Sequence, residues 1–444
     1  MSFKDYIYLH KYNLLKPGSL KYYGQLLDNQ KKSRDELDDL QWKKTLLLMQ
    51  HAAKHSPFYR KRFKEIGADI NDFKTPEDFD SFPVLTRNDL QESFRDILCD
   101  NVRKSDLVLS STGGSSGQPV AVYMPRSFPR AALGWRMYTW WGISPSANWG
   151  RTYRETSINW KKSFIQHVID FPIKTILLNA SSFTENDILH FIERFNRVCP
   201  PLLQGYVGAI DTLADYVLSH HIRIHQPKAV WVTSAPVSKI QRNKIEQAFQ
   251  TQVFDQYGCC EVFWLAAECS AHSGLHMFYD ARRIDFLDQQ NHAVPTGDYG
   301  SIAITDLTNY AFPIIRYLNG DTGRALKEQC GCGCNLPLMD HVKGRISDTI
   351  KLPSGRLLNG EFVTTLFDND YKSVKRFHVH QNADYSIRIE VVSDSSSSEI
   401  EQLLNRVTTQ LKTITSNEIS ISAKRVPEIK LIKDKLRFIT SDIQ

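Results

Sequence analysis

Ser110-Ser111-Thr112-Gly113-Gly114-Ser115-Ser116-Gly117-Gln118-Pro119 is the stretch on which the reading of this chain turns. Leu107-Val108-Leu109-Ser110, running into it, has strand character, and so does Val120-Ala121-Val122-Tyr123-Met124 beyond it. Between them, glycines let backbone amides approach an anion closely, and the hydroxyls add donors. That chemistry suits the phosphates of a nucleotide. No Gly-Lys-Ser/Thr closes the loop, so it is not a Walker loop. A plain Ser/Gly surface loop has the same composition, so the rest of the chain must decide.

The 444 residues are 41% hydrophobic and 23% charged, an ordinary globular composition with room for about two or three domains. The net charge of +6 is modest. Lys31-Lys32 and Lys61-Arg62 lie in amphipathic patterns, and no basic stripe points to nucleic acid. Met1-Ser2-Phe3-Lys4-Asp5-Tyr6 has no signal-peptide core, and no apolar run nears the ~20 residues that cross a bilayer. A cytoplasmic protein without a membrane span is expected. That compartment disfavours disulfides, so the eight cysteines need another account. Cys99 and Cys199 read as buried thiols; the others fall between 259 and 334.

Leu37, Leu40, Leu46, Leu48, Met49 and Ala52 recur at helical spacing over 35–63, with Pro57 marking a break. Thr86 is placed to cap a helix beginning at Arg87. From about 104 to 330, strand and helix patterns alternate. Ala229-Val230-Trp231-Val232-Thr233 reads as a buried strand, and Ile188–Val198 and Ile240–Phe249 read as helices. This predicts an α/β fold with helices covering a sheet. The last hundred residues read as a small α+β unit: strands at 376–380 and 385–391, a polar turn at 395–398, and a helix over 399–414. The expected organisation is a large multi-layer domain of sheets and helices over 1–345 and a small one over 346–444.

Four further motifs carry chemistry. In Asp255-Gln256-Tyr257-Gly258-Cys259-Cys260-Glu261, a tyrosine beside a glycine can lie on an adenine, and the acid can hold Mg²⁺. In Arg316-Tyr317-Leu318-Asn319-Gly320-Asp321-Thr322-Gly323, a carboxylate in a tight turn can accept ribose hydroxyls. Gly344-Arg345-Ile346-Ser347-Asp348 and Lys433-Asp434-Lys435-Leu436-Arg437 complete the series.

In this order and spacing the motifs resemble those of the adenylate-forming superfamily, over about 37–440. Ser56-Pro57-Phe58-Tyr59-Arg60-Lys61-Arg62-Phe63, the Thr-Gly-Gly-Ser-Ser-Gly-x-Pro form of the loop, and Cys330-Gly331-Cys332-Gly333-x-x-Leu336-Pro337 are most similar to the phenylacetate–CoA ligase and capsule-biosynthesis branch. The resemblance implies an enzyme that forms an acyl-adenylate from a carboxylic acid and ATP. It also implies a mobile C-terminal lid that turns about Arg345 and Ser347. Ser111, Thr112, Gly113, Gly114, Ser115, Ser116 and Gly117 would cradle the phosphates. Ser234-Ala235-Pro236 and Tyr257-Gly258-Cys259-Cys260 would line the nucleotide pocket. Glu261 would bind Mg²⁺, Asp321 with Arg345 the ribose, and Lys435 the reacting carboxylate and α-phosphate. The chain departs from the pattern at Cys260, Ser347 and Asp434, where Thr or Ser, Asp and Gly are usual; Lys433 is the fallback for Lys435.

Coenzyme A is the default acceptor; a carrier-protein thiol or an amine, as in surface-polysaccharide synthesis, is the alternative. An inactive scaffold homologue is the rival of another class, opposed by Glu261, Asp321 and Lys435. Cys269, His276, Cys330 and Cys332 form a Cys₃His set suited to structural Zn²⁺, with Cys334 and His272 as rival ligands. Relatives of the resembled branch carry a comparable cluster and are often dimers. Trp135, Tyr138, Trp140 and Trp141 read as core rather than as an acyl pocket.

Overall fold

The computed structural model describes residues 2–112, 120–153, 168–180, 184–234, 237, 239–342, 349–359, 363, 366–367, 370, 373–374, 376–393, 395–429 and 439–443. Two helices that the periodicity did not single out come first, Phe3–Leu15 and Ser19–Asn29. The expected long helix runs Arg34–His55 behind a Ser33/Glu36 capping box, and Pro57 opens the next, Pro57–Glu65. Ser56 between them is extended, because a residue before proline avoids the helical region. Thr86 caps Arg87–Glu92 in a capping box with Asp89, as its position predicts.

β1 (Leu107–Thr112) and β2 (Val120–Pro125) pair as an antiparallel hairpin apart from the main sheet. The main strands are β3 (Trp149–Tyr153), β4 (Thr175–Asn179), β5 (Leu202–Tyr206), β6 (Ala229–Thr233), β7 (Val253–Cys259), β8 (Phe263–Glu268) and β9 (Leu275–Met277). β10 (Arg282–Leu287), β11 (Gly300–Asp306) and β12 (Tyr317–Gly323) form a separate antiparallel sheet, and β13 (Leu338–Met339) returns to β9. The eight-stranded order is β13-β9-β8-β7-β6-β5-β3-β4, parallel from β4 to β7 and antiparallel beyond.

Both faces of this sheet are buried, which is why its strands read as continuous apolar runs. Leu203, Val230 and Val253 pack against the helices Glu185–Val198, Val207–Ser219 and Lys239–Phe249. Leu202, Ala229, Trp231 and Phe254 face the helix Ala131–Trp140. There Trp135 meets Tyr8, Tyr12 and Tyr23 of the first two helices edge-on, while Tyr138 and Trp141 meet Trp231, so this aromatic group is core.

Arg282, on β10, joins the three-stranded sheet to the eight-stranded one. Its buried guanidinium donates to Asp306 (2.6 Å) and Thr308 (2.8 Å) on one side, and to the carbonyls of Val262 (3.0 Å) and Trp264 (3.3 Å) on the other.

The C-terminal residues have a core of their own. β14 (Thr349–Lys351) pairs with β15 (Leu357–Asn359), and β16 (Arg376–Gln381), β17 (Ile387–Val392), β18 (Ile421–Arg425) and β19 (Ile439–Ser441) form a sheet ordered β18-β17-β16-β19. The helix Ser397–Ile414 packs on it through Ile400, Leu403, Val407 and Leu411. Among the described residues no helix is long and apolar enough to cross a membrane.

Gly205 faces β3 so closely that a Cβ there would lie 1.7 Å from Thr152 Oγ1 and 2.8 Å from its carbonyl oxygen. Gly205→Ala should therefore lower the unfolding free energy by about 1–3 kcal/mol, read from the urea midpoint at unchanged m-value.

Candidate functional site

Strands β3, β5, β6 and β7 point their C-terminal ends the same way. In open parallel sheets, ligands gather outside these ends. At the end of β7 the pairing to β8 shifts register between Tyr257 and Gly258, a bulge that re-aims the chain. Gly258 has no room for a side chain: a Cβ would lie 2.6 Å from the Phe263 carbonyl oxygen.

Tyr257 and Asp321, 64 residues apart, meet here. The Tyr257 hydroxyl donates to Asp321 Oδ2 (2.9 Å), and Asn319 Nδ2 donates to both groups (2.6 and 2.7 Å). The Asp321 amide returns to Asn319 Oδ1 (3.1 Å) through the turn at Gly320, whose φ of 87° suits glycine. Burial, reinforced by the Asp321 charge, pushes the Tyr257 hydroxyl well above its usual pKa and keeps it a donor.

Glu261 sits in the turn between β7 and β8, nearly buried. It accepts from the Tyr317 hydroxyl (3.0 Å) and lies 3.9 Å from Arg87 Nη1. Sequence reasoning saw Arg87 only as the start of a capped helix. Cys259 is half-buried and Cys260 exposed. Ser234, exposed at the end of β6, holds a left-handed backbone with φ 77°. Ser111 lies on β1 opposite Ala121, and the Thr112 backbone closes the same ladder. Gly113, Gly114, Ser115, Ser116, Gly117, Ala235, Pro236, Arg345, Ser347, Lys433 and Lys435 lie outside the described residues.

The ligand atoms of Cys269, His276, Cys330 and Cys332 lie within 4.8 Å of one another. Cys269 and Cys330 sulfurs are 3.4 Å apart, and Cys332 sulfur is 3.3 Å from His276 Nε2. Thiolates around tetrahedral zinc stand about 3.8 Å apart, from a bond of about 2.3 Å. His276 Nδ1 is 2.8 Å from the Leu336 carbonyl, so it carries the proton and leaves Nε2 facing the thiols. The two rival ligands lie elsewhere. Cys334 packs with Leu37 and Leu336, and His272 stacks on Phe254 beside Glu268.

One cluster was not legible in the sequence. Arg242 grips the buried Glu268 with two bonds of 3.0 Å, and His341 bridges Asp255 (3.2 Å) and Glu268 (3.3 Å). Burial would raise Glu268; hydrogen bonds with His272 and His341 and the charge of Arg242 override it and hold the carboxyl below its usual range. Burial raises Asp255, and the two carboxylates push His341 up to about 10. The cluster pins β7 just before Tyr257 to residue 341, where the chain approaches 343–348. Acidic residues inside apolar strands, Asp255 and Glu268, were the available signal.

No protein-family model matches the chain. It is 22% identical to Protein CapK of Staphylococcus aureus over 234 residues, only 51% of either chain. It is 22% identical to phenylacetate-coenzyme A ligase of Escherichia coli (strain K12) over 347 residues, 72% of this chain and 73% of that one. The crystal structure of 2-hydroxyisobutyryl-CoA ligase with 2-HIB-AMP and CoA superposes with a TM-score of 0.66 at 18% identity, covering 94% of this chain and 92% of that one. The fold is that of the adenylate-forming ligases, as the five ordered motifs led us to expect, and the sequence likeness lies with phenylacetate–CoA ligases and CapK.

His341, near 10 in the fold and about 6.5 when unfolded, contributes stability that is fully present below about pH 6.5 and is lost as the pH rises toward 10. His341→Gln should flatten that loss: from pH 6 to 10 its unfolding free energy should fall less steeply than that of the wild type.

Proposed function

We infer that this protein, an adenylate-forming enzyme, is an AMP-forming acid–thiol ligase that activates a carboxylic acid with ATP and passes the acyl group to coenzyme A. The observation that carries the reading is the Tyr257–Asp321 hydrogen bond, which unites two nucleotide motifs at the C-terminal ends of the parallel strands.

In the first step a carboxylate oxygen attacks the α-phosphorus of ATP, the bond to the β-phosphate oxygen breaks, and pyrophosphate leaves. Catalysis here is positioning and charge stabilisation. Tyr257 and Gly258 flank the adenine, Asp321 accepts from the ribose with the assistance of Arg345, and Ser234-Ala235-Pro236 with Cys259 and Cys260 line the pocket. Residues 111–117 receive the phosphates on their amides and hydroxyls. Lys435 offsets the charge growing at the α-phosphate. Glu261 would hold Mg²⁺, which would neutralise phosphate charge. In the second step the coenzyme A thiolate attacks the acyl carbonyl and AMP departs, with residues 346–444 acting as a lid that turns about Arg345–Ser347 to exchange Lys435 for the thiol.

An amine, as on a sugar of a surface polysaccharide, is the rival acceptor that the resemblance to the capsule-biosynthesis branch leaves open. Cys269, His276, Cys330 and Cys332 are read as a structural Zn²⁺ site: four protein ligands leave no open position. The absence of a membrane-crossing helix among the described residues is consistent with a cytoplasmic location.

ATP–pyrophosphate exchange tests the first step against aryl, fatty and amino acids. An active acid should be found, Asp321→Asn should raise the KM for ATP about 10- to 100-fold, and Lys435→Ala should slow exchange at least about 100-fold. If no acid supports exchange, the reading fails. Coenzyme A and amino sugars added to a positive reaction separate the acceptors. Elemental analysis should find one zinc per chain and little in Cys332→Ser; substoichiometric zinc in both proteins would remove the metal site.

A further inference from the structure

The parallel sheet has one topological switch point. From β3 the chain passes to β4 on one side and then returns to β5 on the other. A crevice opens outside the strand ends at such a point. Arg151 and Tyr153 of β3 stand at this crevice opposite Gln204 and Tyr206 of β5, on the face that carries Trp231 and the helix Ala131–Trp140.

The polar groups here are unmatched. Arg151 Nε is buried without a hydrogen-bond partner, and so is Trp231 Nε1 on the same face. Gln204 is 4% exposed; its Nε2 donates to the Tyr153 hydroxyl (3.1 Å), while its Oε1 has no partner. Among the described residues no carboxylate neutralises Arg151. Its guanidinium is held instead over the rings of Trp149 (5.1 Å) and Tyr153 (4.8 Å). Stacking fixes its plane and leaves its donor edge for a ligand, and a planar donor fork matches a carboxylate. Leaving buried polar groups unpaired is costly, so a fold that retains several at one ligand crevice has a partner for them.

Two strands, β5 and β6, lie between this point and the strand that carries Tyr257. Tyr153 and Tyr206 rings are 4.7 Å apart, and in the next strands Thr233 donates to Gln256 Oε1 (3.0 Å), beside Tyr257. Three strand spacings, about 14 Å, separate β7 from β3, a span that an extended acid can cover with the reach of the arginine.

We propose that this crevice is the distal end of the acid pocket, and that Arg151 selects an acid carrying a second carboxylate. The proposal rests on the ligase reading above and deepens it.

The test is ATP–pyrophosphate exchange with aliphatic and aryl dicarboxylic acids of increasing length, each paired with its monomethyl ester, which keeps the length and removes the distal charge. The wild type should prefer a diacid to its ester by about 10- to 100-fold in kcat/KM, the worth of a charged hydrogen-bonded pair. Arg151→Met should erase most of that ratio, and Arg151→Lys, which keeps the charge without the fork, should retain part of it. Equal use of diacids and esters by the wild type, or a ratio unchanged in Arg151→Met, overturns the proposal while leaving the ligase reading intact. A rise in the KM for coenzyme A at an unchanged diacid ratio also overturns it, because the arginine then serves a phosphate of that substrate. No exchange with any acid overturns both.

Discussion

The arrangement depends on the buried Arg282. One guanidinium binds a carboxylate and a hydroxyl on the three-stranded sheet and two backbone carbonyls at the start of β8. Those carbonyls belong to Val262 and Trp264, directly after Glu261, while β12 of the other sheet carries Tyr317 and Asp321. The two halves of the proposed nucleotide site come from different sheets, and this contact links them. A cation so enclosed is tolerable only because its donors are matched; deleting Asp306 would strand it at a cost of about 3–5 kcal/mol.

The same logic runs along β7. Its parallel partner is β6 and its antiparallel partner β8, so its end is where one pairing mode gives way to the other. The bulge at Gly258 absorbs the change, and the Glu268–Arg242–His341 group holds the strand at Asp255, two residues before Tyr257. Tyr257 is thereby presented by a strand paired on both edges and anchored just before it. A hydrogen bond between its hydroxyl and Asp321 then costs little further ordering.

Local patterns carried much of this into the sequence. Thr86 with Asp89, Pro57 after Ser56, and the apolar run at Ala229–Thr233 each act within a few residues, and each element formed where its chemistry put it. Order along the chain supplied Tyr257 and Asp321 together, because each motif has its own turn chemistry. Long-range pairings left no such trace. Nothing near Arg242 announces Glu268, and nothing near Arg87 announces Glu261, since a lone charged residue on an amphipathic helix looks like a solvated one. The first two helices were missed for a related reason: Tyr8, Tyr12 and Tyr23 find their partner in Trp135, more than a hundred residues away. The four-residue thiol and imidazole cluster was legible because cysteine is seldom placed without use.

That cluster also has a topological effect. Cys269 lies 61 residues before Cys330, and His276 lies 56 before Cys332, yet their donor atoms converge. Everything between, including all three strands of the second sheet and the Asp321 turn, is an excursion whose two ends are brought together at one point. Clasping the ends of so long a segment removes more freedom from the unfolded chain than clasping a short one, by an amount that grows with the logarithm of its length. The second sheet, with Asp321 on it, is in this sense a tethered insertion. Loosening the clasp would slacken the proposed nucleotide site from a distance, without touching any residue proposed to contact ATP.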